Sequence, residues 1–191
     1  MARPIIHNDE VRSRLLEKAA ALVAASGVAA VSLRDIAAAA GTSTTAVYSL
    51  FGGKQELLTA VVDDGFVSFA ASQVGAAPQG LLALGRAYRH WALEHPALYS
   101  LMFAGSLGTY VGCPPSPGVA NDAIAPLLAA VIGALVATDS VEPAPAVAVA
   151  IWGQVHGLVS LELANTPLPG GTWEQAYEAA LRGIARAYFA V

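Results

Sequence analysis

Hydrophobic positions recur at helical spacing along almost the whole chain, and the breaks between these runs fall at glycine and proline. Val11, Leu15, Ala19 and Leu22 share one helix face, and Gly27 stops the run. Asn8, Asp9 and Glu10 are expected to open that helix, because a capping side chain and two carboxylates suit the unpaired N–H groups of a helix start. Ser32-Leu33-Arg34-Asp35 reads as a capping box ahead of Ile36 and Ala37, and Gly41 ends this second, short helix. Ser43 caps a third, Thr44 to Phe51, in which Val47, Leu50 and Phe51 share a face while Thr44, Thr45, Tyr48 and Ser49 lie largely on others. Gly52-Gly53 breaks it, and Lys54 opens a longer helix through Leu57, Leu58, Val61 and Val62 to near Val74.

Beyond Pro78 the pattern changes to long apolar helices with few charges, expected at 79–94, 97–106, 121–138, 144–164 and 173–189. In the last of these, Trp173, Tyr177, Leu181, Ile184 and Tyr188 form a stripe behind a Thr172/Gln175 capping box. With no strand pattern or internal repeat, the fold class is all-α with nine helices.

Composition raises one question about this reading. The chain has 191 residues, 55% of them hydrophobic and only 13% charged, which excludes a disordered chain and makes a membrane protein conceivable. The 41 alanines account for much of that hydropathy, and alanine is also the strongest helix former. The longest charge-free stretches are interrupted by prolines, too short, or carry Gln154 and His156, so none reads as a clean span of about 20 lipid-compatible residues. The charged N-terminus does not resemble a signal peptide, and a cytoplasmic location is expected. The single cysteine, Cys113, lies in the 105–118 loop and permits neither an internal disulfide nor a multi-cysteine metal site. No cofactor and no metal are expected.

Charge divides the chain. Residues 1–55 carry +2 and residues 56–191 carry −6, a mildly basic front on an acidic body. Two short helices around a glycine-containing turn, the second exposing small hydroxyls, are what a helix-turn-helix requires. The first braces the phosphate backbone, and the N-terminal end of the second enters the major groove. Small side chains at Thr44, Thr45 and Ala46 allow close approach to base edges, and threonine offers a hydroxyl together with a methyl for thymine.

The string from Gly27 through Ser32-Leu-Arg-Asp-Ile, Gly41-Thr-Ser-Thr-Thr-Ala-Val-Tyr-Ser-Leu-Phe51 and Lys54 to Leu58 resembles the DNA-binding signature of the TetR family of transcriptional regulators, over about Leu15 to Leu58. The resemblance implies a helix-turn-helix DNA-binding domain at 1–53, a connecting helix at 54–74 and a ligand-binding and dimerisation domain at 75–191. It further implies a repressor that leaves a pseudo-palindromic operator when an effector binds. Carried over by position, Arg34 takes a base- or phosphate-contacting place, Thr44 and Thr45 fall on recognition-helix contacts, and Tyr48 and Lys54 match a phosphate-contacting pair. Ser43 and Ser49 complete the expected DNA-binding set. Leu50 and Ala46 depart from the common pattern of histidine and threonine, and each removes a polar contact. Arg86 to Phe103 and Trp152 to Glu162 resemble TetR-type ligand domains with a Trp and a His-Gly pair.

On that reading Trp91, Tyr99, Met102, Phe103, Trp152 and His156 are the candidate ligand-pocket residues, and the scarcity of charge points to a small apolar effector. Arg86, Arg89 and His90 read as a solvated face. Ala146, Ala148 and Ala150 on the 144–164 helix, with Leu181, Ile184 and Tyr188 on the 173–189 helix, are the expected homodimer interface. The rival classes are an enzyme and a helical adaptor or small-molecule-binding protein without regulatory DNA binding. The chain has no Gly-x-Ser-x-Gly, Walker, Gly-x-Gly-x-x-Gly or His-Glu-x-x-His sequence, and its histidines stand apart at 7, 90, 95 and 156, so no catalytic residues are assigned.

Overall fold

The computed structural model describes residues 5–103 and 114–189. Cys113 and positions 105–113 of the expected loop lie outside the described residues. In chain order the helices are α1 (Ile5–Ser26), α2 (Leu33–Ala39), α3 (Thr44–Phe51), α4 (Lys54–Ala76), α5 (Leu81–Glu94), α6 (Pro96–Phe103), α7 (Val119–Ala137), α8 (Ala144–Leu163) and α9 (Trp173–Phe189). A 3₁₀ turn at Ala77–Gln79 precedes α5. The described residues contain nine α-helices and no strand, the all-α class expected from periodicity.

Several boundaries differ from the periodicity reading. Helix α1 begins at Ile5, so Asn8, Asp9 and Glu10 are exposed positions inside the helix and not its opening. Helix propensity is only a weak prior, and two β-branched isoleucines do not prevent the earlier start. The expected helix at 79–94 is split by Gly80, whose φ of +87° lies in the left-handed region that glycine reaches without a Cβ clash. Helix α7 starts at Val119, directly after Gly118 at φ +92°, and keeps Pro126 in its interior. By length and composition, the run Lys54–Gln79, α7 and α8 are each able to cross a membrane, which corrects the expectation that no stretch is.

Packing groups the described helices into two units, with 1–67 and 95–120 in one and 68–94 and 121–191 in the other. In the first unit, Leu15 of α1, Ile36 of α2, Val47 of α3, and Leu57 and Val61 at the start of α4 have no exposed surface and belong to the core. Helix α6 belongs to this unit and lies along α1. Gly65 on α4 permits its approach, because a Cβ there would come within 2.7 Å of Met102 Sδ.

In the second unit α5 packs against both α8 and α9. Its core includes Leu84, Tyr88, Trp91, Val147, Ile151, Val155, Val159, Tyr177, Leu181 and Ile184. Gly85 faces Leu181 so closely that a Cβ would meet Leu181 Cδ2 at 2.5 Å, and Tyr177 O–H donates to the Gly85 carbonyl at 2.7 Å.

A candidate nucleic-acid interface and the helices of the second unit

Helix α2 is too short to be stable by itself, since isolated helices below about 12 residues are marginal in water. Its ends are held locally. The Ser32 hydroxyl accepts from Asp35 N–H at 3.2 Å, and the Asp35 carboxylate accepts from Ser32 N–H at 3.1 Å, which completes the capping box. The hydroxyl and backbone N–H of Ser32 together hold the Asp35 carboxyl below its ordinary range. At the other end Gly41, with φ +64°, lets Thr42 N–H reach the Ala37 carbonyl at 2.9 Å and its own N–H reach Ala38 at 3.1 Å, the two bonds of a Schellman stop.

Ser43 then caps α3, accepting from Ala46 N–H at 3.2 Å. Val47 is fully buried and fixes the roll of α3 against α2. With that side turned inward, Thr45, Tyr48 and Ser49 are exposed, Tyr48 at 58%, while Thr44 is half-buried. The i, i+3, i+4 spacing of these three puts them on one surface of the helix. Arg34 is also exposed, in the first turn of α2.

Three other basic groups of this unit contact its own helices and turns, although Arg12 and Arg14 are exposed. Arg12 lies 5.4 Å from the Phe51 ring centroid, and Arg14 Nε donates to the Ala40 carbonyl at 3.4 Å, beside the end of α2. Lys54 Nζ donates to the Val28 carbonyl at 2.7 Å. Sequence reasoning missed these contacts because nothing in local spacing brings together residues 26 apart, as in the two hydrogen bonds, or 39 apart, as in Arg12 and Phe51.

The candidate ligand-pocket residues divide between the two units. Tyr99, Met102 and Phe103 lie in the first, where Phe103 stacks edge-on with Phe66 at 6.0 Å and packs on Tyr99 at 4.9 Å. Trp91, Trp152 and His156 lie in the second. Trp91 is core, with its N–H on Ser68 Oγ at 3.0 Å and its ring edge-on to Phe69. Trp152, His156 and Ser160 follow one another at four-residue spacing on α8, all half-buried. Tyr88 Oη of α5 stands 2.9 Å from His156 Nδ1, and Ser160 Oγ is 3.5 Å from Nε2. Burial pushes the His156 pKa down, which favours a neutral ring able to accept the Tyr88 proton at Nδ1 while keeping its own on Nε2.

Of the expected solvated face, Arg86 and His90 are exposed and Arg89 is half-buried, and both arginines are paired. Arg89 makes a bidentate pair with Glu162 at 2.8 and 2.6 Å, and its guanidinium lies 5.8 Å from the Tyr177 ring centroid. Arg86 makes the same two-pronged contact with Glu178. The pairs join α5 to α8 and α9. Leu181 and Ile184 correct the interface reading: at 3% and 2% exposure they are core of the single chain and offer no outward area. Ala148 is likewise buried, whereas Ala146 and Ala150 are exposed. Among the described residues no group of three His, Cys, Asp or Glu side chains could hold a metal ion.

Two family profiles match this chain: residues 15–61 match bacterial regulatory proteins of the tetR family, and residues 81–187 match the tetracyclin repressor-like C-terminal domain. The chain belongs to the TetR family. Its residues 15–61 are the family's helix-turn-helix DNA-binding domain. HTH-type transcriptional regulators of Mycobacterium bovis and Mycobacterium tuberculosis are each 29% identical over 153 residues, covering 72% of this chain and 64% of their own length. The TetR chain thus spans somewhat under two thirds of these curated relatives. A solved regulatory protein, SCO4313, is 29% identical with a TM-score of 0.78, covering 96% of this chain and 98% of its own. A TetR family transcription regulator from Marinobacter aquaeolei shares the fold at TM-score 0.73 and 22% identity, with 95% and 96% coverage.

The His156 environment has a consequence for stability. Its folded pKa lies below the ordinary value of 6.5, so below that pH the unfolded chain binds the proton more readily and stability falls as pH drops. Thermal melting between pH 7.5 and 5.5 should show a loss in this TetR protein that is smaller in His156→Gln, the difference isolating His156 from the carboxylates.

Proposed function

We propose that this protein is a homodimeric, cytoplasmic repressor that binds a pseudo-palindromic operator through α3 and releases it when a small apolar effector binds its C-terminal domain. The observation that carries the DNA reading is the exposed Thr45–Tyr48–Ser49 surface at the capped start of a helix whose opposite side is clamped by Val47. Thr44 and Thr45 stand where the leading end of a recognition helix meets base edges, and the Tyr48 hydroxyl, Ser43, Ser49 and the Arg34 guanidinium are placed for phosphates. No catalysis is assigned.

The dimer reading rests on the outward side of α8, where Ala146, Val149, Ala150, Gly153 and Leu161 are all exposed. Ala179, Gly183 and Ala187 are exposed on α9. Small residues let two such helix pairs approach closely, and Val149 and Leu161 supply apolar area. Tyr188, half-buried, lies near the end of α9 and remains a candidate contact.

The effector reading is supported by the C-terminal family match and by the neutral Tyr88–His156–Ser160 set, a hydrogen-bonding group among aromatic side chains. Such a set suits an uncharged ligand with one polar atom. An effector acts by binding the DNA-incompetent state more tightly, at about 1.4 kcal/mol of differential binding for each tenfold loss of operator affinity.

Three outcomes test this. Selection from a random duplex pool should enrich an inverted repeat, and Thr45→Ala should relax preference at one base pair by roughly 1 kcal/mol, the low end of a base contact. Failure to enrich any sequence would favour the adaptor class. In sedimentation velocity Gly153→Arg should give folded monomers, whereas Leu181→Asp should lose helical signal altogether. A neutral apolar compound that quenches tryptophan fluorescence should weaken operator binding by the factor by which operator weakens the compound, since linkage is reciprocal.

A further inference from the structure

We infer that Arg12 and Arg14 of α1 are two further phosphate-contacting residues, one beside the end of α3 and one beside the turn that leads into it; this rests on the DNA-binding reading above. Neither belongs to the two helices of the helix-turn-helix. Both side chains are exposed, yet each is held against the elements that present α3. The Arg12 guanidinium lies over the ring of Phe51, the last residue of α3, 5.4 Å from its centroid. Arg14 Nε donates at 3.4 Å to the carbonyl of Ala40, the C-cap of α2, three residues before the Ser43 cap of α3.

These contacts leave both cations without a neutralising partner. Asp9 stands three residues before Arg12 and Glu10 four before Arg14, spacings at which helix ion pairs form. Among the described residues neither arginine makes such a pair. Lys18 of the same helix is paired with Glu17, and Arg86 and Arg89 of α5 are paired with Glu178 and Glu162. A ring contact uses the face of a guanidinium and leaves the N–H donors along its edge unspent, and Arg14 commits only the Nε donor of its five. The planar fork that remains matches phosphate oxygens two at a time. A side chain already held in place also loses less rotamer freedom when it binds.

Position selects phosphate over base. Helix α3 has eight residues and so spans about 12 Å, close to the width of the major groove. A cation carried by another helix and set beside either end of that span faces the strands bordering the groove, where phosphates are exposed, and not the base edges.

The test uses the full chain and the duplex it selects from a random pool, with affinity measured from roughly 50 to 200 mM salt. Each phosphate contact releases a counterion and contributes about 0.9 to the slope of log affinity against log salt. Arg12→Gln and Arg14→Gln should each lower the slope by about 0.9 per subunit, and the double variant by about 1.8. Each should weaken binding by the same factor on the selected duplex and on one with a half-site base pair changed, because phosphates carry no base information. Arg12→Lys and Arg14→Lys keep the charge and should keep the slope. An unchanged slope in either Gln variant overturns the assignment of that residue, since a guanidinium that only packs on Phe51 or Ala40 releases no counterion. A loss confined to the selected duplex also overturns it, in favour of base readout. If a Gln variant does not fold, Arg12→Met or Arg14→Met, which keeps the apolar stem, carries the same slope test. Failure of the wild-type chain to select any duplex rejects the DNA-binding reading together with this inference, whereas unchanged slopes reject the inference alone.

Discussion

The DNA-binding half of this molecule depends on how two helices of seven and eight residues are kept helical and held at a defined angle. Neither is long enough to persist alone. Each end is satisfied by a specific local device: the Ser32–Asp35 box, the left-handed Gly41, the Ser43 hydroxyl and the left-handed Gly52. Ile36 and Val47, both without exposed surface, bury the inward sides of the pair, with α2 packed on α1 and on α3. Because the inward side of α3 is consumed in this way, the polar residues left outside are the ones available for DNA.

The same economy governs the second unit, where α5 is the central element. It approaches α9 through Gly85 and is tied to α8 and α9 by two bidentate arginine–glutamate pairs. The Arg86–Glu178 pair is the more exposed and adds little stability, while Arg89–Glu162 is largely shielded and fixes orientation. Burial lowers the His156 pKa and so favours its neutral form. This hydrogen-bonding group lies beside the Trp152 ring.

The division between what is locally and globally specified is visible in particular residues. Ser32, Gly41, Ser43 and Gly52 were legible in the sequence because a cap or a left-handed turn is satisfied within four residues. The start of α1 was not, since Asn8 can cap a helix but need not when the turn before it also folds. The α9 stripe shows a second kind of ambiguity. Periodicity correctly placed Tyr177, Leu181 and Ile184 on one face, yet could not say whether that face meets a helix of the same protomer or of another. The contacts with Gly85 and α5 decide it for the chain's own core.

The sequence by itself determined the all-α class, the capped two-helix motif and the family, because each is written in short-range spacing that needs no partner to be read. Which arginines are paired, which way α9 turns and what Lys54 touches were decided only by tertiary structure. Arg89 and Glu162 are 73 residues apart, Tyr88 and His156 are 68, and Lys54 and Val28 are 26. Charge and hydrogen-bonding capacity are properties of a residue, but their use is a property of distance, and distances of that kind exist only once the chain has closed on its core.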